Sequence, residues 1–211
     1  MKPTSAQLRA LARRDPALGR VMRRIRPGFP GFPAGSMRRW SRYQMLARAI
    51  VFQQLAYRAA ATIWDRCCAL TPGPGFPRPE ELARISDARL RSAGLSRNKA
   101  LSVRDLAARV ADGSLRLRSI HRADDAEVLE RLCSVRGIGP WTAQMFLIFK
   151  LGRLDVLPTT DLGVQEGLKI LDDLPARPTP AELAARGAVW APLRSVAAWY
   201  LWRLVDGEVD W

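Results

Sequence analysis

Histidine and cysteine are nearly missing from this 211-residue chain, which has one of the first and three of the second. Cys67, Cys68 and Cys133 form neither an even disulfide framework nor a metal-ligand spacing, and His121 alone cannot complete a zinc site. Reduced thiols in a cytosolic setting fit that pattern. No apolar run reaches the roughly 20 residues of a membrane-crossing helix, and the N-terminus lacks a signal peptide's apolar segment. No segment of useful length alternates as a strand does, and no internal repeat recurs. Acidic residues are scarce too: 20 Asp and Glu face 34 Lys and Arg, a formal net charge of +14 with arginine far ahead of lysine. Such an excess suits a polyanion, because each neutralised phosphate releases counterions, and arginine can bridge two phosphate oxygens. Plain solvation accounts for the same charge, so charge alone does not choose a partner.

What remains is helical pattern, and the expected fold class is all-α. The length allows one good core or two small lobes sharing one. Residues 3–25 carry helical periodicity, with Asp15-Pro16 starting a second short helix. A Pro/Gly loop follows at 26–35, whose Phe29 and Phe32 are expected to tuck onto the core. Residues 41–68 read as one long helix, since Tyr43, Leu46, Ala47, Ile50, Val51, Leu55 and Ile63 recur at three and four. Gln53 and Gln54 interrupt its stripe. After a breaker loop at 71–79 come short helices near 80–85 and 87–92, the latter capped by Ser86 and ended by Gly94. A longer one spans 96–111, with Arg97, Asn98 and Lys99 gathered at its start, facing water or phosphate. Further helices are expected over 124–135, 162–171, 182–186 and 192–205.

The densest stretch is LERLCSVRGIGPWTAQMFLIFKLGRLDVLPTTDLGVQ, residues 129–165. Gly137 ends one helix, as glycine accepts the left-handed backbone of a C-terminal stop. Ile138 points inward between two glycines, and Gly139-Pro140 opens the next helix. Trp141, Met145, Phe146 and Phe149 give that helix an apolar face. Backbone N–H groups at such a turn favour an anion such as phosphate, although most glycine turns bind nothing. A Pro/Thr loop then delivers one carboxylate, Asp161.

Hairpin, Gly/Pro-rich loop and following Asp together resemble the helix-hairpin-helix–GPD superfamily of base-excision DNA glycosylases. GIGPWTAQMFLIF matches the hairpin and second helix, and LGRLDVLPTTDLGVQ the loop and acid. RYQMLARAIVFQQLAYRAAATI, AGLSRNKA and APLRSVAAWYLWR extend the similarity from about residue 42 onward, nearest to the DNA-3-methyladenine glycosylase II family. The resemblance implies a two-lobed helical fold with its cleft between lobes. It implies one glycosylase domain over 1–211, with the hairpin at about 129–150 and the loop and acid at 151–165. Asp161 falls at the catalytic position. Trp141 stands where the glycosylase/lyases carry a Schiff-base lysine, so hydrolysis without a covalent imine follows. The four-cysteine iron–sulfur loop of another branch is missing.

On the same match the base pocket holds Trp141, Met145, Leu162 and Trp202, and the DNA-binding set is Gln53, Gln54, Leu55, Arg136, Gly137, Ile138, Gly139 and Thr142. A side chain at or beside Gln54 fills the gap left by an extruded nucleotide. Met145 and Leu162 stand where relatives have tyrosine, which makes this pocket less aromatic. Trp64, Trp190 and Trp199 are expected in the core. The implied reaction is hydrolysis of the N-glycosidic bond of alkylated purines in double-stranded DNA. A single carboxylate without histidine suits bases that already carry positive charge. Excision of deaminated or mismatched bases, a non-catalytic DNA-gripping module and a basic RNA-binding protein are the competing readings. No cofactor and no side-chain metal site are expected; an ion on hairpin carbonyls is left open by the resemblance. The expectation is a cytoplasmic monomer, beside the nucleoid in a bacterium, without a membrane partner and without the extra N-terminal β-rich domain of some members.

Overall fold

A computed structural model describes residues 1–25, 27–33 and 35–206, so Arg26 and Ala34 of the expected 26–35 loop, and the end of the 1–211 domain, lie outside the described residues. Among the described residues there is no strand, and no helix is long and apolar enough to cross a membrane. The chain divides into two compact units, one formed by Met1–Arg38 with Leu147–Trp211 and the other by Arg39–Phe146.

The first unit begins with α1 (Ser5–Arg14) and α2 (Pro16–Arg24). Thr4 and Gln7 form a reciprocal cap at the start of α1, and Asp15 caps α2 with Pro16 at its first position. Phe29 and Phe32 do reach the core, each 3% exposed and packed edge to face at 4.8 Å.

Within the second unit, α3 (Arg42–Phe52) is stopped short and α4 (Tyr57–Cys68) begins afresh, where one helix over 41–68 was expected. Neither glycine nor proline makes the break. Lys99 Nζ donates to the Val51 and Gln53 carbonyls at 2.7 Å each, capping the C-terminus of α3, and Gln54 turns left-handed at φ 56°. Beyond it lie α5 (Pro79–Leu82), α6 (Asp87–Ser92, capped by Ser86), α7 (Arg97–Ala111, capped by Ser96), α8 (Asp125–Cys133) and α9 (Pro140–Phe146). The core of this unit joins Leu46, Ile50 and Val51 of α3 to Val103 and Leu106 of α7, Leu132 of α8 and Phe146 of α9, all 1% exposed or less. Leu101 of α7 is 38% exposed.

The first unit resumes with a π-helical turn, Leu147–Leu151, followed by α10 (Leu162–Leu171), α11 (Pro180–Gly187) and α12 (Arg194–Asp206). α10 and α12 pack closely together. Their shared layer includes Val164, Leu168, Val196, Ala197 and Leu201, none more than 1% exposed. At roughly 2 kcal/mol per buried leucine-sized side chain, this layer is what fixes the start of α10 against the side chains of α12. Trp190 is fully buried, while Trp199 lies against Phe29 at 5.5 Å.

Candidate active site

The Pro158–Asp161 loop turns onto α10 by donating the Asp161 amide to the Pro158 carbonyl, 3.0 Å. Gln165 Nε2 ties back the Thr159 carbonyl at 2.8 Å. Asp161 is the N-cap of α10, its Oδ1 accepting from the Val164 amide at 2.8 Å. The same oxygen accepts from Trp202 Nε1, also at 2.8 Å. Two donors from two helices therefore fix the carboxylate's orientation, and its residue is 8% exposed. Behind it, the Trp202 ring stacks on Phe149 at 5.5 Å and 29°, and Phe149 meets Phe32 edge-on at 5.2 Å. Phe149 was read only as part of an apolar face; its place beneath Trp202 needs the α10–α12 packing, which local periodicity does not carry.

Gly163 makes room for this arrangement. A Cβ there would lie 2.9 Å from Trp202 Cδ1 and 3.1 Å from Asp161 Oδ1. Gly163→Ala should therefore displace the indole from the acid; with Asp161 as the reacting group that the resemblance implies, single-turnover base release would fall by roughly tenfold, because small misplacements of a reacting group are expensive. The helix itself should not weaken, since alanine is the better helix former. Melting temperature and rate measured on one preparation check this: a rate that stays at wild type removes the Trp202–Asp161 contact from the working site.

In the other unit, Gly137 adopts φ 77° and a Cβ there would sit 2.5 Å from Ser102 Oγ of α7. Asp105 Oδ2, from the same helix, accepts the Arg136 amide at 2.8 Å, and Asn98 Oδ1 accepts from the Arg136 guanidinium at 3.4 Å. The Ile138 amide goes to the Val135 carbonyl at 3.1 Å. So two of the hairpin amides expected to face an anion are already used. The Gly137 and Gly139 amides have no acceptor among the described residues. Ile138 and Thr142 are 4% and 5% exposed, which leaves backbone contact as their route to any partner.

Gln53 Nε2 donates to the Gly137 carbonyl at 2.8 Å, joining the α3–α4 loop to the hairpin. Next to it Gln54 is exposed and Leu55 is 39% exposed. Trp141 is 45% exposed, far from the buried apolar position its spacing suggests, and Met145 is half-buried. The Val135 and Gly137 carbonyls each accept one hydrogen bond and keep a second lone pair, which a monovalent cation at the hairpin would use. Among the described residues no group of three or more His, Cys, Asp and Glu side chains is placed to hold a metal ion. The residues that sequence reading missed are on α7: Lys99, expected to face water or phosphate, caps α3, and Ser102 and Asp105 support the hairpin. Their polar spacing of three on a helix otherwise rich in core residues was the available signal.

The family model for HhH-GPD superfamily base excision DNA repair proteins matches residues 47–192. DNA-3-methyladenine glycosylase 1 of Schizosaccharomyces pombe is 36% identical over 172 residues, 81% of this chain and 75% of its own length. A solved structure of the S. pombe 3-methyladenine DNA glycosylase in complex with abasic DNA superposes with a TM-score of 0.84 at 32% identity, covering 96% of this chain and 97% of that one. The Bacillus halodurans DNA-3-methyladenine glycosidase gives 0.85 at 34% identity, with 99% of this chain and 94% of that one covered.

Proposed function

Because the chain belongs to the HhH-GPD superfamily of base excision DNA repair proteins, we propose that it hydrolyses the N-glycosidic bond of alkylated purines such as 3-methyladenine in double-stranded DNA. The observation that carries this reading is the Asp161 carboxylate, pinned through Oδ1 by Val164 and Trp202 at the head of α10. A base inside a duplex cannot present its glycosidic bond, so the nucleotide is extruded first. The Gly137 and Gly139 amides and the Arg136 side chain hold the backbone, with Gln53, Gln54 and Leu55 at the site of extrusion. A cation on the Val135 and Gly137 carbonyls would add positive charge toward that phosphate.

Asp161 beside C1′ stabilises the oxocarbenium charge that develops as the base leaves, and it orients the water that completes hydrolysis. An N-alkylated purine is already cationic, so departure needs little help from an acid. Trp141 and Trp202 supply π faces that favour such a cation, each worth about 0.5–2 kcal/mol. Trp202 offers one face only, since Phe149 covers the other. Met145, half-buried, and Leu162, exposed, contribute softer, non-aromatic surface. With tryptophan rather than lysine at 141, no amine is placed there to form an imine, so the product is an abasic site with its strand intact. A DNA substrate accords with action beside the chromosome, in the cytoplasm at the nucleoid for a bacterial chain, and the reading takes the enzyme as a monomer.

Chromatography of free bases released from alkylated, deaminated and undamaged duplexes tests the proposal. Release of 3-methyladenine from alkylated DNA alone, with no strand cleavage, is expected. Hypoxanthine or uracil as the main product would move the enzyme to deaminated bases. No release from any duplex would leave only a DNA-gripping module.

A further inference from the structure

Lys99 does not have the surroundings of a surface ammonium. It is partly buried at the start of α7, no carboxylate pairs with it among the described residues, and burial holds its pKa below the usual lysine range. Its Nζ instead donates to two main-chain carbonyls, Val51 and Gln53, at the end of α3, where helix carbonyls lack partners and the dipole is negative. The next residue, Gln54, is exposed and left-handed at φ 56°, a conformation that a non-glycine side chain keeps only when its surroundings impose it. The Gln53 side chain in turn reaches the Gly137 carbonyl, and α7 also supplies Asn98 and Asp105 to Arg136. One helix thus fixes both the exposed loop and the hairpin, and Lys99 is its only described grip on the loop backbone.

We propose that Lys99 is a positioning residue: by tying the Val51 and Gln53 carbonyls to α7 it holds the Gln54 loop in register with the Gly137 hairpin, so that the loop enters the base stack while the hairpin holds the backbone. The proposal rests on the base-excision reading. Its consequence is selective. A loop out of register slows the opening of a paired duplex, but has little to do where the target is already unstacked. A lysine that served only stability would affect both substrates alike.

The test is single-turnover release of methylated purines from one oligonucleotide, annealed either to its full complement or to a strand that leaves an unpaired bubble around the lesions. Lys99→Met keeps the aliphatic stem and removes the donors. It should be slowed roughly tenfold or more on the full duplex and stay within about twofold of wild type on the bubble. Lys99→Gln, which keeps a shorter neutral donor at the end of α3, should show the same contrast in weaker form, so the proposal does not depend on one variant folding. Equal slowing on both substrates, or no slowing on the duplex, overturns it. If the wild-type chain released no base from either substrate, the base-excision reading would fall instead.

Discussion

Asp161→Asn is expected to lower single-turnover release of 3-methyladenine from methylated duplex by roughly a thousandfold or more, about 4 kcal/mol of transition-state stabilisation. Affinity for the same duplex should be unchanged or higher. The substitution is informative because almost nothing else changes. Asparagine is as good an N-cap as aspartate, so the Val164 amide keeps its acceptor and α10 its start. The amide oxygen still accepts from Trp202 Nε1, so the indole stays in place. What disappears is the negative charge beneath the developing oxocarbenium ion. That charge also opposes the phosphates of bound DNA, which is why binding should survive or tighten. Asp161→Ala separates the two roles: it removes the cap as well, lowering stability by about 1 kcal/mol. Release rates on one duplex and melting curves for both variants provide the comparison. An asparagine variant that excised at the wild-type rate would take the chemistry away from Asp161 and leave it a helix cap.

The sequence carried the local parts of this site because they obey local rules. Ser86 caps the helix that follows it, and Gly137 turns left-handed where one helix had to end. Phe29 and Phe32 are buried as their exposure cost requires. What it did not carry depends on residues far apart in the chain. The stop of α3 at Phe52 is held by Lys99, 46 residues beyond Gln53; between 41 and 68 only the polar Gln53-Gln54 pair marks the place, and such a pair does not by itself end a helix. Trp141 sits on the apolar face that helical periodicity draws, yet it is 45% exposed, and Leu162 at the start of α10 is 64% exposed. Both are large apolar groups with much of their surface exposed, a cost that packing does not require. Asp15 shows the same limit from the other side: Asp-Pro announced a helix start, but nothing local announced the ion pair behind it.

That ion pair gives the largest expected effect on stability. Asp15 is 3% exposed, and its carboxylate accepts from the Leu18 amide at 3.0 Å, Trp190 Nε1 at 2.7 Å and Arg186 at 2.8 Å. Arg186 is held in turn by Asp172 at 2.6 Å. Burial alone would push the Asp15 carboxyl up, but the Trp190 indole, the Leu18 amide and the Arg186 charge together outweigh it and hold the group below its ordinary value. Asp15→Ala leaves the fully buried Trp190 N–H without its acceptor and α2 without its cap, and a loss of about 3 kcal/mol is expected. For a chain of this size that is a fall of roughly 6–12 °C in melting temperature. The folded carboxyl titrates below the unfolded one, so the stabilisation is complete above about pH 4, where an unfolded aspartate is ionised. As pH falls from there the unfolded chain takes up the proton first, and the contribution drains away until the folded group is protonated as well. Melting temperatures of wild type and Asp15→Ala should therefore differ most near neutral pH and converge as the solution is acidified below pH 4. Arg186 keeps Asp172 in the variant, so the loss falls short of orphaning a buried cation. A difference between the two proteins that held constant down to pH 2 would mean that Asp15 acts through packing and not through its charge.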